Sequence, residues 1–180
     1  MKNKKARKKF LNKLPKNGIV AEVGVAEGYH AVAMKEISKP ERMYLIDPWI
    51  VCYGPGEGAM KLVEESLSVN ILDEGVFNLD AHTDSVVAMK EYSVNASKKF
   101  PDEFFDYVYI DADHSYEGAK EDIELWFPKV KRGGYISGHD YRHRRLKWYG
   151  VKRAVTELIE EHNLELSFVS GGADWAVLKK

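Results

Sequence analysis

The chain holds one cysteine, Cys52, so no internal disulfide framework can staple it, and its use of thiols suits a reducing compartment. No apolar run approaches the roughly 20 residues that a membrane span needs. The amino terminus lacks the apolar core of a secretory signal, so a cytoplasmic, membrane-free protein is the expectation. No segment is low in complexity, and no repeat recurs at solenoid or propeller spacing. Acid is missing from the first sixteen residues, which contain Lys2, Lys4, Lys5, Arg7, Lys8, Lys9, Lys13 and Lys16. The remainder carries 19 basic and 28 acidic residues, so a body of net charge −9 bears a basic arm. Such an arm can meet nucleic acid or an anionic surface, or be a solvated terminal helix. Only Phe10 interrupts the run, so the interleaved aromatics of a nucleic-acid reader are missing and that partner is disfavoured.

What is present is enough for one core. At 180 residues and 44% hydrophobic, the chain is long enough for one well-buried core and short for two domains, and reads as a basic arm or helix over 1–17 followed by one domain over 18–180. The run Ile19 to Gly28 is an apolar strand (19–24) delivering a glycine turn and then a helix (28–38) ended by Pro40. A second strand, 43–47, stops at Asp47. Ala59, Val63, Leu67 and Ile71 recur at helical spacing. Val76 to Leu79 reads as a short strand, and Thr83 or Ser85 as the cap of a helix carrying Val86, Met89 and Tyr92. Phe104 to Ile110 is apolar and aromatic on both faces, as a covered parallel strand requires. Ser115 caps the next helix, Tyr135 to Ser137 is a strand, a helix runs from Val151 to His162, and Leu164 to Leu178 closes as an antiparallel hairpin around Gly171-Gly172. The expected fold is α/β, doubly wound, with a mostly parallel seven-stranded sheet.

In such sheets ligands bind beyond the carboxyl ends of the strands. The residues there are Gly24 to Gly28, Asp47, Asp80 to Asp84, Asp111 to His114 and Gly138 to Asp140. A glycine turn opening a helix, with an acid ending the next strand, is the pattern of a nucleoside site whose acid grips a ribose diol. Asp111, Asp113, His114, His139 and Asp140 supply oxygen and nitrogen donors suited to a divalent ion or to proton transfer. Asp113 lies close enough to Ser115 to serve the helix start instead. His82 reads as a loop residue near the ligand's base, and His30 and His162 as packing or surface residues. The aromatic, glycine-rich loop 48–58 reads as a substrate wall. The basic loop Arg142, His143, Arg144, Arg145 and Lys147 reads as a lid for an acidic or phosphorylated acceptor, or as plain solvated charge.

Several segments together resemble a known group. They are Glu22-Val-Gly24-Val-Ala-Glu-Gly28, Ile46-Asp47-Pro48-Trp49, Phe105 to Gly118 with its Asp111-Ala-Asp113-His114-Ser115-Tyr116-Glu117-Gly118, Gly138-His139-Asp140-Tyr141, and Gly150 to Val155. They resemble the class I S-adenosylmethionine-dependent methyltransferases, and within them the methyltransferase-24 family, from about Ile19 to Leu178. The resemblance implies a Rossmann-like methyltransferase fold. It implies that Glu22, Gly24 and Gly28 border the methionine part of the donor, that Asp47 holds the ribose hydroxyls, and that Asp84 and its neighbours lie near the adenine, with Asp111 closing the cofactor set. It further implies that Asp111, His139 and Asp140 bind a divalent ion, commonly magnesium. Ala26 stands where a glycine is common, and His139 where a carboxylate is more usual.

The activity expected is methyl transfer from S-adenosyl-L-methionine to the oxygen of a small hydroxylated acceptor, an anionic one being compatible with the basic loop. His114, or Asp113, is the expected general base, His114 first because its ordinary pKa lies nearest neutrality. A nicotinamide-dependent oxidoreductase shares the glycine turn and ribose acid, and a non-catalytic nucleoside-binding module shares the whole crevice. The acceptor is not legible: sugar, phenol, peptide and nucleic acid stand in that order. Oligomeric state is equally hidden, a homo-oligomer being compatible.

Overall fold

The computed structural model describes residues 4–50, 56–81, 84–142, 149–170 and 173–180. The readings that involve Cys52, His82, Thr83, His143 to Lys147 and the turn Gly171-Gly172 lie outside those residues.

In chain order the elements are α1 (Lys4–Leu11), β1 (Ile19–Val23), α2 (Tyr29–Ser38), β2 (Arg42–Asp47), α3 (Glu57–Leu67), β3 (Ile71–Leu72), β4 (Val86–Lys90), α4 (Ser93–Ala96), β5 (Phe105–Ile110), α5 (Tyr116–Trp126), β6 (Val130–Gly138), α6 (Tyr149–Glu161), β7 (Leu166–Val169) and β8 (Trp175–Leu178). They build one eight-stranded sheet in the order β3-β4-β2-β1-β5-β6-β8-β7. β3 to β6 pair in parallel with their neighbours through β1 and β2, while β8 runs antiparallel to both β6 and β7. The architecture is the doubly wound one expected, with the terminal hairpin. The eighth strand is the two-residue β3, which lies just past the helix that the Ala59 to Ile71 spacing extends too far.

Strand alternation divides the interior into two layers. Val20, Met43, Leu45, Tyr107 and Tyr109 pack with α1, α2 and α3, whereas Ala21, Val23, Ile46, Val108 and Ile110 pack with α5 and α6. The basic amino-terminal segment belongs to the first layer: Phe10, Leu11 and Leu14 are buried there while Lys5, Lys8, Lys9, Lys13 and Lys16 stay exposed. No helix among the described residues is long and apolar enough to cross a membrane.

The segment 76–92 departs from expectation. Val86 to Lys90 is a strand, not a helix, because it is apolar toward both layers: Val86 and Ala88 face one, Val87 and Met89 the other. A run buried on both faces carries no period that tells strand from helix. Residues 76–79 form no strand; Phe77 instead inserts its ring among Tyr44 and Phe100, at 5.8 and 5.5 Å between centroids. The shift moves Asp84 to the entrance of β4, at the end of the sheet away from the carboxyl tips.

Candidate functional site

The chain leaves β1 in one direction toward β2 and β4 and returns past it to β5, so the crevice of the sheet opens between β1 and β5. The tips are tied together one residue beyond the strands. Gly24 N–H donates to Ile46 O (2.9 Å), Asp111 N–H to Val23 O (2.8 Å), His139 N–H to Ile110 O (3.1 Å) and Glu91 N–H to Asp47 O (3.1 Å). A Cβ on Gly24, at φ +84°, would stand 2.4 Å from Asp111 O, so the strand contact itself demands glycine. Gly28 is required by α3, since a Cβ there would meet Val63 Cγ2 at 2.8 Å.

Beyond the tips lies a hollow of about 310 Å³. Val23, Ile46 and Pro48 give it apolar wall, and Asp47, Glu91, Asp111, Asp113, Glu121 and Asp122 give it six carboxyl side chains; among the described residues no lysine or arginine lines it. Of the five segments expected to converge, Gly24 to Gly28, Asp47 and Asp111 to His114 contribute lining residues; the place expected for Asp80 to Asp84 is taken by Glu91 to Val94 after β4, and Gly138 to Asp140 reach the site through the contact of Asp140 with His114.

Asp47 and Trp49 hold the glycine turn shut. Asp47 Oδ2 accepts the N–H groups of Val25 (2.8 Å) and Ala26 (2.9 Å), Oδ1 accepts that of Trp49 (2.6 Å), and the Trp49 indole N–H returns to Ala26 O (3.0 Å). Three of the roughly four acceptor positions of the carboxylate are thereby used within the protein.

On the other side, His114 bridges two carboxylates. Its Nε2 lies 3.0 Å from Asp111 Oδ1 and its Nδ1 3.3 Å from Asp140 Oδ2. His139 Nδ1 is 3.0 Å from Asp140 Oδ1, and Asp140 is kept at φ +59° where a residue with a side chain is strained. Burial alone would raise the Asp111 carboxyl, but the hydrogen bond from His114 and the charges of His139 and His114 outweigh it and hold it low. Burial likewise works against His139, and is overcome by the hydrogen bond to Asp140 and the charges of Asp111, Asp140 and Asp174, which raise its pKa to about 9. Asp113 Oδ1 accepts the Ser115 N–H at 2.8 Å, and Ser115 Oγ accepts that of Gly118 at 3.0 Å, so Asp113 lines the hollow while serving the helix start.

A divalent ion does not fit this donor set. A ligating imidazole must turn a free nitrogen to the ion, yet His139 Nδ1 lies 3.0 Å from Asp140 Oδ1 and both ring nitrogens of His114 face carboxylates. Among the described residues no group of three or more His, Cys, Asp or Glu is arranged to hold a metal ion. The set Asp111, His139 and Asp140 is brought together, but as a hydrogen-bonded cluster.

Two other expected site residues, Glu22 and Asp84, lie elsewhere, and His162 is the surface residue expected. Glu22 alternates into the layer of α1 and α2, where its Oε1 sits 3.2 Å from His30 Nδ1 and the His30 ring stacks on Tyr109 at 3.8 Å. Burial raises the Glu22 carboxyl well above its ordinary range, and burial with the charge of Arg7 lowers His30 to about 3. Asp84 is absent from the lining for the reason given by β4. His162 is exposed, its ring 4.6 Å from Phe127.

The fold adds residues that sequence reasoning passed over. Glu91, Tyr92 and Ser93 follow β4 into the hollow, and Asp122 reaches it from α5. Asp122 is buried, accepts a short hydrogen bond from Ser93 Oγ, and shares Ser93 with the Trp126 indole N–H (2.8 Å). Burial, opposed by Ser93 and assisted by Glu121 and Asp113, lifts its pKa to about 6. One signal was available: Asp122 falls on the stripe of Ala119, Ile123 and Trp126, a carboxyl on an apolar face.

Comparison with known proteins follows the same lines. Residues 21–141 match the methyltransferase 24 family, described as a methyltransferase domain. An uncharacterised protein of Acanthamoeba polyphaga mimivirus, R132, is 30% identical over 129 residues, which are 69% of this chain and 52% of the viral protein. This chain thus spans about half the length of that curated relative. Among solved structures, an O-methyltransferase from Bacillus cereus in complex with SAH superposes with a TM-score of 0.63 at 14% identity, over 99% of this chain and 82% of that one. The TDP-rhamnose 3'-O-methyltransferase CalS11 of calicheamicin biosynthesis superposes with a TM-score of 0.61 at 19% identity, over 96% and 75%. At these identities the likeness is one of fold.

Proposed function

This chain belongs to the methyltransferase 24 family, and from that premise we propose that it transfers the methyl group of S-adenosyl-L-methionine to a hydroxyl oxygen of a small acceptor. The observation that carries the reading is the charge of the hollow: among the described residues, six carboxyl side chains line it and no lysine or arginine does. A donor bearing a sulfonium and an ammonium is attracted there, while the pyrophosphate of a nicotinamide dinucleotide is repelled. That same charge argues against the oxidoreductase alternative.

The donor supplies an electrophilic methyl carbon with a good leaving group, so the protein's tasks are alignment and removal of one proton. The turn from Gly24 to Gly28, pinned by Asp47 and Trp49, offers a rigid wall, and the one acceptor position left on Asp47 is available to a ribose hydroxyl. Glu91 to Ser93 and Asp122 border the part of the hollow farthest along β4. The acceptor hydroxyl takes the place of one of the two carboxylate contacts of His114, and the imidazole nitrogen so freed takes its proton as the oxygen attacks; the carbon–sulfur bond breaks and its electron pair leaves on sulfur. Asp111 and Asp140 orient the imidazole and stabilise the imidazolium that results. No step is routed through a divalent ion, because the donor set does not fit one.

The test is binding first and turnover second. Calorimetry should give saturable binding of S-adenosylhomocysteine and none of NAD, and labelled methyl should pass from donor to one class in a library of hydroxylated sugars and phenols. Binding of NAD in preference would overturn the reading. Binding of S-adenosylhomocysteine without transfer to any hydroxyl would leave the nucleoside-binding alternative standing.

A further inference from the structure

A second hollow, of about 470 Å³, lies between α1 and β7, away from the carboxylates of the first. Lys5, Lys9 and Lys13 line it with Ala6, Phe10, Phe168, Val169 and Ser170; no acid is among them. The three lysines are exposed; Lys5 and Lys9 stand one above the other on α1, about 6 Å apart along its axis, and Lys13 follows in the turn just past the end of the helix. Phe10 is buried as floor, and the half-buried ring of Phe168 stands beside it at 5.2 Å with the Lys13 ammonium 4.9 Å above its face. The sequence around the basic run has no aromatic to interleave with its charges except Phe10. The fold supplies one from the far end of the chain.

We propose that this groove binds a short stretch of single-stranded nucleic acid. A linear row of ammonium groups follows a phosphodiester backbone, and an aromatic face beside it receives a base, the combination by which such grooves hold single strands. A lone phosphate would call for donors converging on one point, and these lie in a line. A membrane surface would call for a protruding apolar face, and this one is concave. The entering base displaces the Lys13 ammonium from the Phe168 ring toward a phosphate. The groove's upper end is at the catalytic end of the sheet: Val169 is opposite Trp175, Trp175 opposite Gly138, and Arg7 of α1 reaches to 3.9 Å from Asp174. The binding itself does not depend on the methyl-transfer reading, and it is measured without donor.

The experiment is fluorescence anisotropy of the full chain with a labelled twelve-nucleotide uridine oligomer, at about 50 to 200 mM salt. Association should weaken with rising salt with a log–log slope near −2, about 0.7 for each of three lysines. The triple variant Lys5→Gln, Lys9→Gln, Lys13→Gln should bind at least about tenfold more weakly and flatten the slope. Phe168→Leu should lose about tenfold while keeping the slope. Unchanged S-adenosylhomocysteine binding by the lysine variant would show that its fold is intact. Absence of oligomer binding, or full binding by the triple variant, would overturn the proposal. Equal affinity for a poly-glutamate peptide or for anionic phosphatidylserine vesicles would also overturn it.

Discussion

The two hollows of this molecule are opposites in charge and in construction. The one at the strand tips is acidic, and its polar groups are short side chains fixed by backbone hydrogen bonds and by one another. The one along α1 is basic, and its charges end long, exposed stems on the helix and the turn that follows it. Chemistry at an atom needs the first kind of surface, where geometry is held before a ligand arrives. Attraction of a polyanion needs only the second, where the charges can follow the ligand and salt can screen them.

The largest expected effect tests the rigid side of that contrast. His114→Ala should lower methyl transfer by about 10²–10⁴-fold, with binding of S-adenosylhomocysteine kept within a few-fold, as measured by labelled-methyl turnover and calorimetry. Retention of full turnover would remove His114 from its role and with it the claim that this hollow is built for proton transfer.

A second effect, of about 3 kcal/mol, concerns Asp122. Its carboxyl goes from an ordinary 3.8 to about 6 in the folded chain. Between about pH 4 and pH 6 the folded state therefore holds a proton that the unfolded state has released. Stability must fall as pH rises through that window and level off above it. Denaturant titrations of the unliganded protein across pH 4 to 7 should show this fall, and Asp122→Asn should abolish it and be the more stable form at pH 7. An unchanged slope in the variant would assign the effect to other groups.

Much of the rigid hollow was legible because its residues come directly after apolar runs: Asp47 ends Met43 to Ile46, and Asp111 ends Phe105 to Ile110. The doubly wound class of the sheet, though not its strand order, followed from the same runs. What was illegible has physical causes. β4 is apolar toward both layers, so its period is hidden, and Asp84 was taken for a tip residue while Glu91 to Ser93, the true tip, went unremarked. Glu22 was misplaced because a strand residue next to a glycine turn can face either layer, and only the pairing settles which. Phe168 beside Lys13 joins residues 155 positions apart, a contact that no local pattern encodes.

A smaller effect separates the clasp from the packing around it. Trp49→Phe keeps a buried ring but removes the N–H that reaches Ala26 O. The loss should be about 1 kcal/mol, read as a roughly fivefold rise in the dissociation constant for S-adenosylhomocysteine, with transfer at saturating donor little changed. A fall in turnover instead, with affinity intact, would mean that the indole serves the acceptor side.

The smallest effect comes from Ala26, at φ +47° in the left-handed region that a side chain resists. Glycine at this position relieves that strain, about 1 kcal/mol, and adds freedom to the unfolded chain that returns part of it. The net gain for Ala26→Gly should lie under about 1 kcal/mol, a rise in melting temperature of about 2 °C. Its N–H to Asp47 and its carbonyl to Trp49 are backbone groups and survive the change. If those bonds alone hold the turn, affinity for S-adenosylhomocysteine should stay within about twofold while stability rises. If affinity falls as stability rises, the strained alanine itself keeps the turn in its binding shape, and the acidic hollow owes its rigidity to backbone strain as well as to hydrogen bonds.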